Sequence, residues 1–379
     1  MENNYWASVW AKFRQDEVIC IPSDYIIHAD FMTHMDKNEI KLAFEKINSL
    51  YKSIYGDIAE QPSEFGMPLY PKNEYRVFSQ QWRDSGQAVF NPFVLLYNLL
   101  ICGDIKNGSV YIPIEKYKNL ETHTKYHAGW ALGKKVKNSH FLFKKLTDYG
   151  FVFEGLKNYK EINQDIIINY PDSILLLHLW KMLADKTHNV NRLPDFLYCH
   201  FRLLQNDMNN VDYGFGADDV ADRVHTEAEK EFTYEMDKTL MSMGMFRKPS
   251  GGFECHGLAY YRTQKDIDTK KPYPFRMVTR NTDIENNVNE SHKMIMMLRV
   301  RNFEKCRKYF DSCPDSVKSI FTTRDKGCGA AGRCGNGISY EIDGVSYWKC
   351  GCCFPTLRFK PNIKDIPHYI KLVELGEKK

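Results

Sequence analysis

Seven of the eleven cysteines in this 379-residue chain fall between Cys306 and Cys353. Cys328 and Cys334 precede, and Cys350, Cys352 and Cys353 follow, a stretch of alternating apolar residues interrupted by Asp343-Gly344. Asp-Gly in that setting is a strong hairpin signal. A two-residue turn there sets opposite each other the residues whose numbers sum to 687, beginning with Ile342 and Val345 and reaching Cys334 and Cys353. Four thiolates converging tetrahedrally make a closed structural zinc site, and the ligand set would be Cys328, Cys334, Cys350 and Cys353. Cys350-x-x-Cys353 has knuckle spacing, whereas the five residues between Cys328 and Cys334 are a looser pair. The same register puts Cys334 and Cys353 on one face with Ile338, Tyr340, Ile342, Val345 and Tyr347, and turns Cys350 and Cys352 to the other. A single metal then requires Gly351 and Pro355 to break the strand. Two other readings stand beside the metal site. One is buried thiols, since free cysteine is among the most buried residue types. The other is a reactive pair whose thiolate is stabilised by Arg333, Lys349 or Arg358. Cys20, Cys102, Cys199 and Cys306 read as core residues, while Cys255 and Cys313 carry no assignment.

The second chemical feature is charge. Residues 106–145 carry nine lysines against Glu115 and Glu121, net +7, with Tyr111, Tyr117, Tyr126 and Trp130 interleaved. Residues 205–240 hold ten acids and three bases, net −7, which argues against nucleic-acid contact there. The formal total of +4, from 52 bases and 48 acids, conceals both.

These groups must be positioned by elements that the pattern predicts. Asp36 and Glu39 have capping-box spacing ahead of a helix over 36–56, whose apolar residues recur at threes and fours before Gly56. Residues 61–86 lack a sustained period and read as a linker. A helix over 91–102, a strand near 109–114, a helix over 134–149 and strands at 151–154 and 166–169 follow, the last two joined by the polar segment 155–165. Asp172 then caps another helix, and a further one lies near 194–205. Apolar residues spaced by four from Val220 to Met243 predict one long amphipathic helix over 218–243, with core packing as the use of its stripe. Beyond Gly251-Gly252 come strands at 256–263, 273–281 and 293–301, a helix at 302–312, the Asp-Gly hairpin and a final helix starting near Asn362. The expected class is α+β: a mainly helical N-terminal half, a long amphipathic helix and a C-terminal antiparallel-sheet domain. The expected divisions are 1–90, 91–210, 211–250 and 251–379.

Helices followed by a polar-tipped β-hairpin are the order found in winged-helix modules, and residues 91–186 resemble that fold. The resemblance implies that the helix before the hairpin enters the major groove of double-stranded DNA. Lys134, Lys135, Lys137, Lys144 and Lys145 would then be the contacts on the helix, with Lys157 and Lys160 on the wing. Lysine supplies charge more than sequence information, so affinity should depend strongly on salt. No arginine lies between Arg83 and Arg192, which counts against guanine readout. The ending, in which a Cys-containing glycine loop and the hairpin precede Phe359-x-Pro361-Asn362-x-x-Asp365-Ile366-x-x-Tyr369, resembles C-terminal segments of uncharacterised bacterial proteins. That resemblance implies a recurring module and no particular activity.

The sequence has no G-x-G-x-x-G, Walker A, H-E-x-x-H or G-x-S-x-G pattern. His188, His200 and His256 are isolated, His225-x-Glu227 sits in the expected long helix, and no catalytic residue is assigned. The first residues lack the pattern of a secretory signal and the most apolar run is short, so a cytoplasmic protein without a membrane partner is expected. The leading expectation is a DNA-binding protein of regulatory kind whose only cofactor is structural zinc. The alternative is a non-enzymatic protein that binds another protein or a small molecule, with Tyr260-Tyr261, Tyr340 and Tyr347 lining a pocket.

Overall fold

Asp36 accepts the backbone N–H groups of Asn38 and Glu39 at 2.8 and 2.9 Å, while the Glu39 carboxylate takes the Asp36 N–H at 2.8 Å. This closed capping box starts helix α2 (Lys37–Glu60), which packs on α1 (Trp6–Glu17). A computed structural model describes residues 5–18, 21–75, 79–119, 136, 138–159, 161–212, 214–222, 224, 226–249, 257–269, 271, 273–280, 293–299, 303–322, 338–349 and 357–377. The helix does not stop at Gly56 as the sequence pattern predicts. A Cβ at that position would lie 2.6 Å from Gln15 Nε2, and Gln15 donates to the Lys52 carbonyl at 3.0 Å. Gly56 therefore marks a close approach of α1 rather than a helix end.

The chain divides into two compact units, Met1–Asp212 and Tyr213–Lys379. In the first, residues before and after position 90 share one core. Tyr51 of α2 stacks on Phe93 with ring centroids 3.9 Å apart, and its hydroxyl donates to the Phe196 carbonyl at 2.9 Å. Phe93 belongs to α4 (Asn91–Cys102), placed where the pattern predicts it. The expected linker holds a further helix, α3 (Gln80–Ala88), capped by Ser79 Oγ on the Trp82 N–H. Gly86 sits inside it because the Trp10 indole lies where a side chain would go, 2.6 Å from the Cβ position.

After α4 come β1 (Asp104–Lys106) and β2 (Ser109–Ile112), joined by Asn107-Gly108 with φ of 52° and 84°. The short α5 (Ile114–Lys118) follows, then α6 (Ser139–Asp148). The expected helix over 134–149 begins later because Asn138 has φ 59°, a left-handed conformation that cannot continue a helix backward. Strands β3 (Val152–Lys157) and β4 (Glu161–Asn169) complete an antiparallel sheet of order β1-β2-β4-β3. The polar segment 155–165, expected as a connection, is mostly strand. A bulge between Glu154 and Leu156 lets pairing resume as far as Lys157 against Glu161. Helix α7 (Ile174–Asn189) is capped by Ser173, one residue after the expected Asp172, and α8 (Leu193–Tyr198) ends at Cys199 with φ 44°.

In the second unit the expected single helix over 218–243 is two, α9 (Ala217–Ala221) and α10 (Glu227–Ser242), the second capped by Thr226 on the Glu229 N–H. A cap places its own residue outside helical backbone, so the apolar period continues across a break in the helix. Phe232, Met236 and Leu240 of α10 are buried, as core packing requires. The sheet has order β11-β8-β7-β6-β5 and is antiparallel throughout: β5 (Phe246–Pro249), β6 (Gly257–Tyr261), β7 (Phe275–Arg280), β8 (Lys293–Leu298) and β11 (Leu357–Phe359). Helices α11 (Gln264–Asp268), α12 (Phe303–Phe310), α13 (Asp315–Thr322) and α14 (Ile366–Glu377) accompany it. A separate hairpin joins β9 (Ile338–Ile342) to β10 (Val345–Lys349) through Asp343-Gly344, both at positive φ. Its register pairs Ile342 with Val345, Tyr340 with Tyr347 and Ile338 with Lys349. The protein is therefore α+β, with helices dominant in the first unit and the larger antiparallel sheet in the second.

Candidate nucleic-acid interface

The segment that the sequence marks for DNA contact is built on α6 and the β3–β4 hairpin. At 100° per residue, Leu142, Phe143 and Leu146 fall on one side of α6, and all three are buried. His140, Phe141, Lys144 and Asp148 form the opposite stripe. Lys144 and Asp148 are exposed, and Phe141 keeps 39% of its surface, a large value for an aromatic side chain. Phe141 lies over Gly66, whose φ of 65° turns the chain out of the way; a Cβ there would meet the Phe141 ring at 3.1 Å. The His140 and Phe141 rings are 4.2 Å apart, so the two aromatic groups occupy one patch.

The two adjacent lysines of α6 have different surroundings. Lys144 has an exposed side chain that reaches toward solvent. Lys145 pairs with Glu64, sits 3.6 Å from Asp148 and lies over the Phe65 ring at 5.5 Å. The bond to Glu64 raises its pKa above the ordinary lysine value. Tyr149, just past the helix, donates to the Asp57 carboxylate, and burial first, then that bond, push its phenol upward. Three acids, Asp57, Glu64 and Asp148, thus surround the C-terminal end of α6. Asp148 is the last residue of α6, Asp57 comes from α2, and Glu64 comes from the turn Pro62–Phe65, which packs against the helix.

On the hairpin, Lys157 is exposed next to the tip, where Asn158 and Tyr159 have φ of 52° and 56°. In the strand register the Cα partner of Lys157 is Glu161. Gly155 makes the bulge possible: its φ is 87°, and a Cβ would stand 2.1 Å from the Asp165 carbonyl oxygen. Asp165 in turn accepts the Ile114 N–H at 2.8 Å and the Tyr111 hydroxyl. The Tyr111 bond, with the Ile114 amide second, holds its carboxyl below the usual range. This one side chain ties the hairpin to β2 and to the start of α5.

Of the lysines expected to contact DNA, Lys144, Lys145 and Lys157 are described. Lys134, Lys135, Lys137 and Lys160 lie outside the described residues, as do Cys328, Cys334, Cys350, Cys352 and Cys353. Among the described residues no group of three or more His, Cys, Asp or Glu is arranged to hold a metal ion. Cys102, Cys199 and Cys306 are buried, as the sequence predicts, and so is Cys313. Burial pushes the thiols of Cys102 and Cys306 up to about 11, which leaves them protonated and unreactive near neutrality. Cys255, His225 and His256 lie outside the described residues. His200 is a core residue whose Nδ1 accepts the Arg202 N–H at 3.2 Å.

Of the four tyrosines expected to line a pocket in the second unit, Tyr260 and Tyr340 are buried, while Tyr261 and Tyr347 keep partial exposure. Tyr260 is fully buried and donates to Asp237 at 2.7 Å, and Tyr340 donates to the Phe321 carbonyl at 2.6 Å. The exposed Phe141 went unnoticed in the sequence, although the helical period alone sets it opposite Leu142, Phe143 and Leu146. The pairing of Lys145 with Glu64 had no such signal, since Glu64 comes from a distant part of the chain. Among the described residues no single helix is long and apolar enough to cross a membrane. Only the pair α3 and α4, bent by 50°, passes by length and composition. The sequence matches no family model, and no curated protein or solved structure shows significant similarity to it.

Proposed function

We propose that the protein is a cytoplasmic DNA-binding protein of regulatory kind that uses a winged-helix-like module within residues 91–186 to engage double-stranded DNA. The observation that carries this reading is the order and packing of three elements: α6 leads directly into the β3–β4 hairpin and packs on it, while β2 pairs with β4. A helix presented ahead of a projecting hairpin offers one element for the major groove and a second for the flanking backbone. The lysine-rich sequence around α6 supplies the phosphate-neutralising charge. Cys328, Cys334, Cys350 and Cys353 flank the β9–β10 hairpin in sequence, and their proposed role is structural, as zinc ligands that hold the C-terminal domain together. The test is gel retardation of genomic fragments by the full chain at low and high salt. Retardation that weakens steeply with salt is expected, and none at any salt would remove the DNA reading.

A second reading is favoured by one feature of the site. Asp57, Glu64 and Asp148 crowd the C-terminal end of α6, so this surface also suits a protein partner. Co-purification of a defined partner that is lost on Phe141→Asp, together with no retardation of DNA, is the outcome that would favour it.

A further inference from the structure

Resting on the DNA reading, we infer that duplex contact by α6 is confined to the stripe formed by His140, Phe141 and Lys144, and that Lys145 is a structural anchor taking no part in it. Three observations lead here. Lys144 is exposed on the face opposite the buried Leu142, Phe143 and Leu146, whereas Lys145 is committed to Glu64 and Asp148. Repulsion from Asp57, Glu64 and Asp148 would meet a phosphate at the C-terminal end of the helix, so the backbone is admitted only toward its beginning. Phe141 is a large apolar side chain that keeps 39% of its surface exposed beside the Gly66 turn, and the apolar feature that the major groove offers is the thymine methyl group. The stripe therefore pairs one cation for a phosphate with one ring for thymine. That combination fits the lysine-based, arginine-free character of the segment, which is poorly suited to guanine.

The experiment is fluorescence anisotropy of the full chain with a labelled mixed-sequence duplex between roughly 50 and 200 mM NaCl, where phosphate contacts dominate the salt dependence. Lys144→Ala should weaken binding and lower the salt slope by about 1. Lys145→Met removes the ammonium that pairs with Glu64 and lies over the Phe65 ring, and should leave the slope unchanged. A duplex with deoxyuridine in place of thymidine lacks the methyl groups, and the unsubstituted chain should bind it more weakly. Phe141→Ala should bind the two duplexes alike, a readout that a packing role would not move. A fall in slope for Lys145→Met equal to that for Lys144→Ala overturns the inference while leaving the DNA reading intact. So does equal binding of both duplexes by the unsubstituted chain. Absence of any binding by that chain overturns both.

Discussion

Asp165, in β4, accepts the Ile114 amide at 2.8 Å and the Tyr111 hydroxyl, so one carboxylate closes the first turn of α5 from across the sheet. Its folded pKa lies below the ordinary aspartate value. A depressed carboxylate stabilises the fold at pH above the unfolded value, and that contribution is lost as pH falls through the folded one. Asp165→Asn should therefore lower the thermal midpoint at pH 6, and the gap from the unsubstituted protein should narrow toward pH 3. A gap independent of pH would mean that the carboxylate charge contributes nothing here.

Gly155→Ala tests the bulge. The substitution places a methyl group against the Asp165 carbonyl oxygen at a backbone φ of 87°. Neither strain can relax without unpairing β3 from β4, and a loss of more than about 1 kcal/mol in urea unfolding is expected. Gly344→Ala is the comparison, since its φ is also positive (74°) but nothing lies within 4 Å. It should cost about 1 kcal/mol from backbone strain alone. Equal losses at both sites would show that the contact with Asp165 carries no weight.

Lys186 of α7 is fully buried, and its ammonium donates to the Leu203 and Asn206 carbonyl oxygens beside Asp30, Asp207 and the Phe31 ring. Burial lowers its pKa to about 8 despite the two aspartates. Between that value and the unfolded one, the unfolded chain binds the extra proton, so stability gains as pH rises. The urea midpoint of the unsubstituted protein should rise relative to that of Lys186→Met between pH 7.5 and 9.5, a window spanning roughly the upper side of the shifted value. Parallel midpoints across the window would exclude titration of Lys186 there.

The two populations of cysteine should separate under alkylation. Cys102, Cys199, Cys306 and Cys313 are buried and should react only after unfolding, with labelled sites assigned by mass spectrometry. If Cys328, Cys334, Cys350 and Cys353 hold zinc, the purified chain should release about one zinc ion on thiol modification. Cys353→Ser should reduce that amount. A metal-free, folded C-terminal domain would exclude the structural zinc site.

Local chemistry made parts of this fold legible in the sequence. Asp36 and Glu39 announce the start of α2, and Asp343-Gly344 sets both the turn and the pairing of Tyr340 with Tyr347, because these signals depend on backbone conformations within a few residues. The alternation of a strand and the period of a helix sorted most buried positions for the same reason. Tertiary structure decided the rest. Gly56 reads as a helix end and Gly86 as part of a linker until the neighbours they admit, Gln15 and Trp10, are known. Residues 155–165 read as a polar connection because their strand pairing relies on a bulge and on a partner strand rather than on apolar content. At the candidate site, composition marked Lys144 and Lys145 alike as charge for DNA. Only the fold brings Glu64 to one and leaves the other in solvent. The reason is that a charge's effect depends on what lies within a few ångströms, and that neighbour is supplied by the turn after α2, far away along the chain.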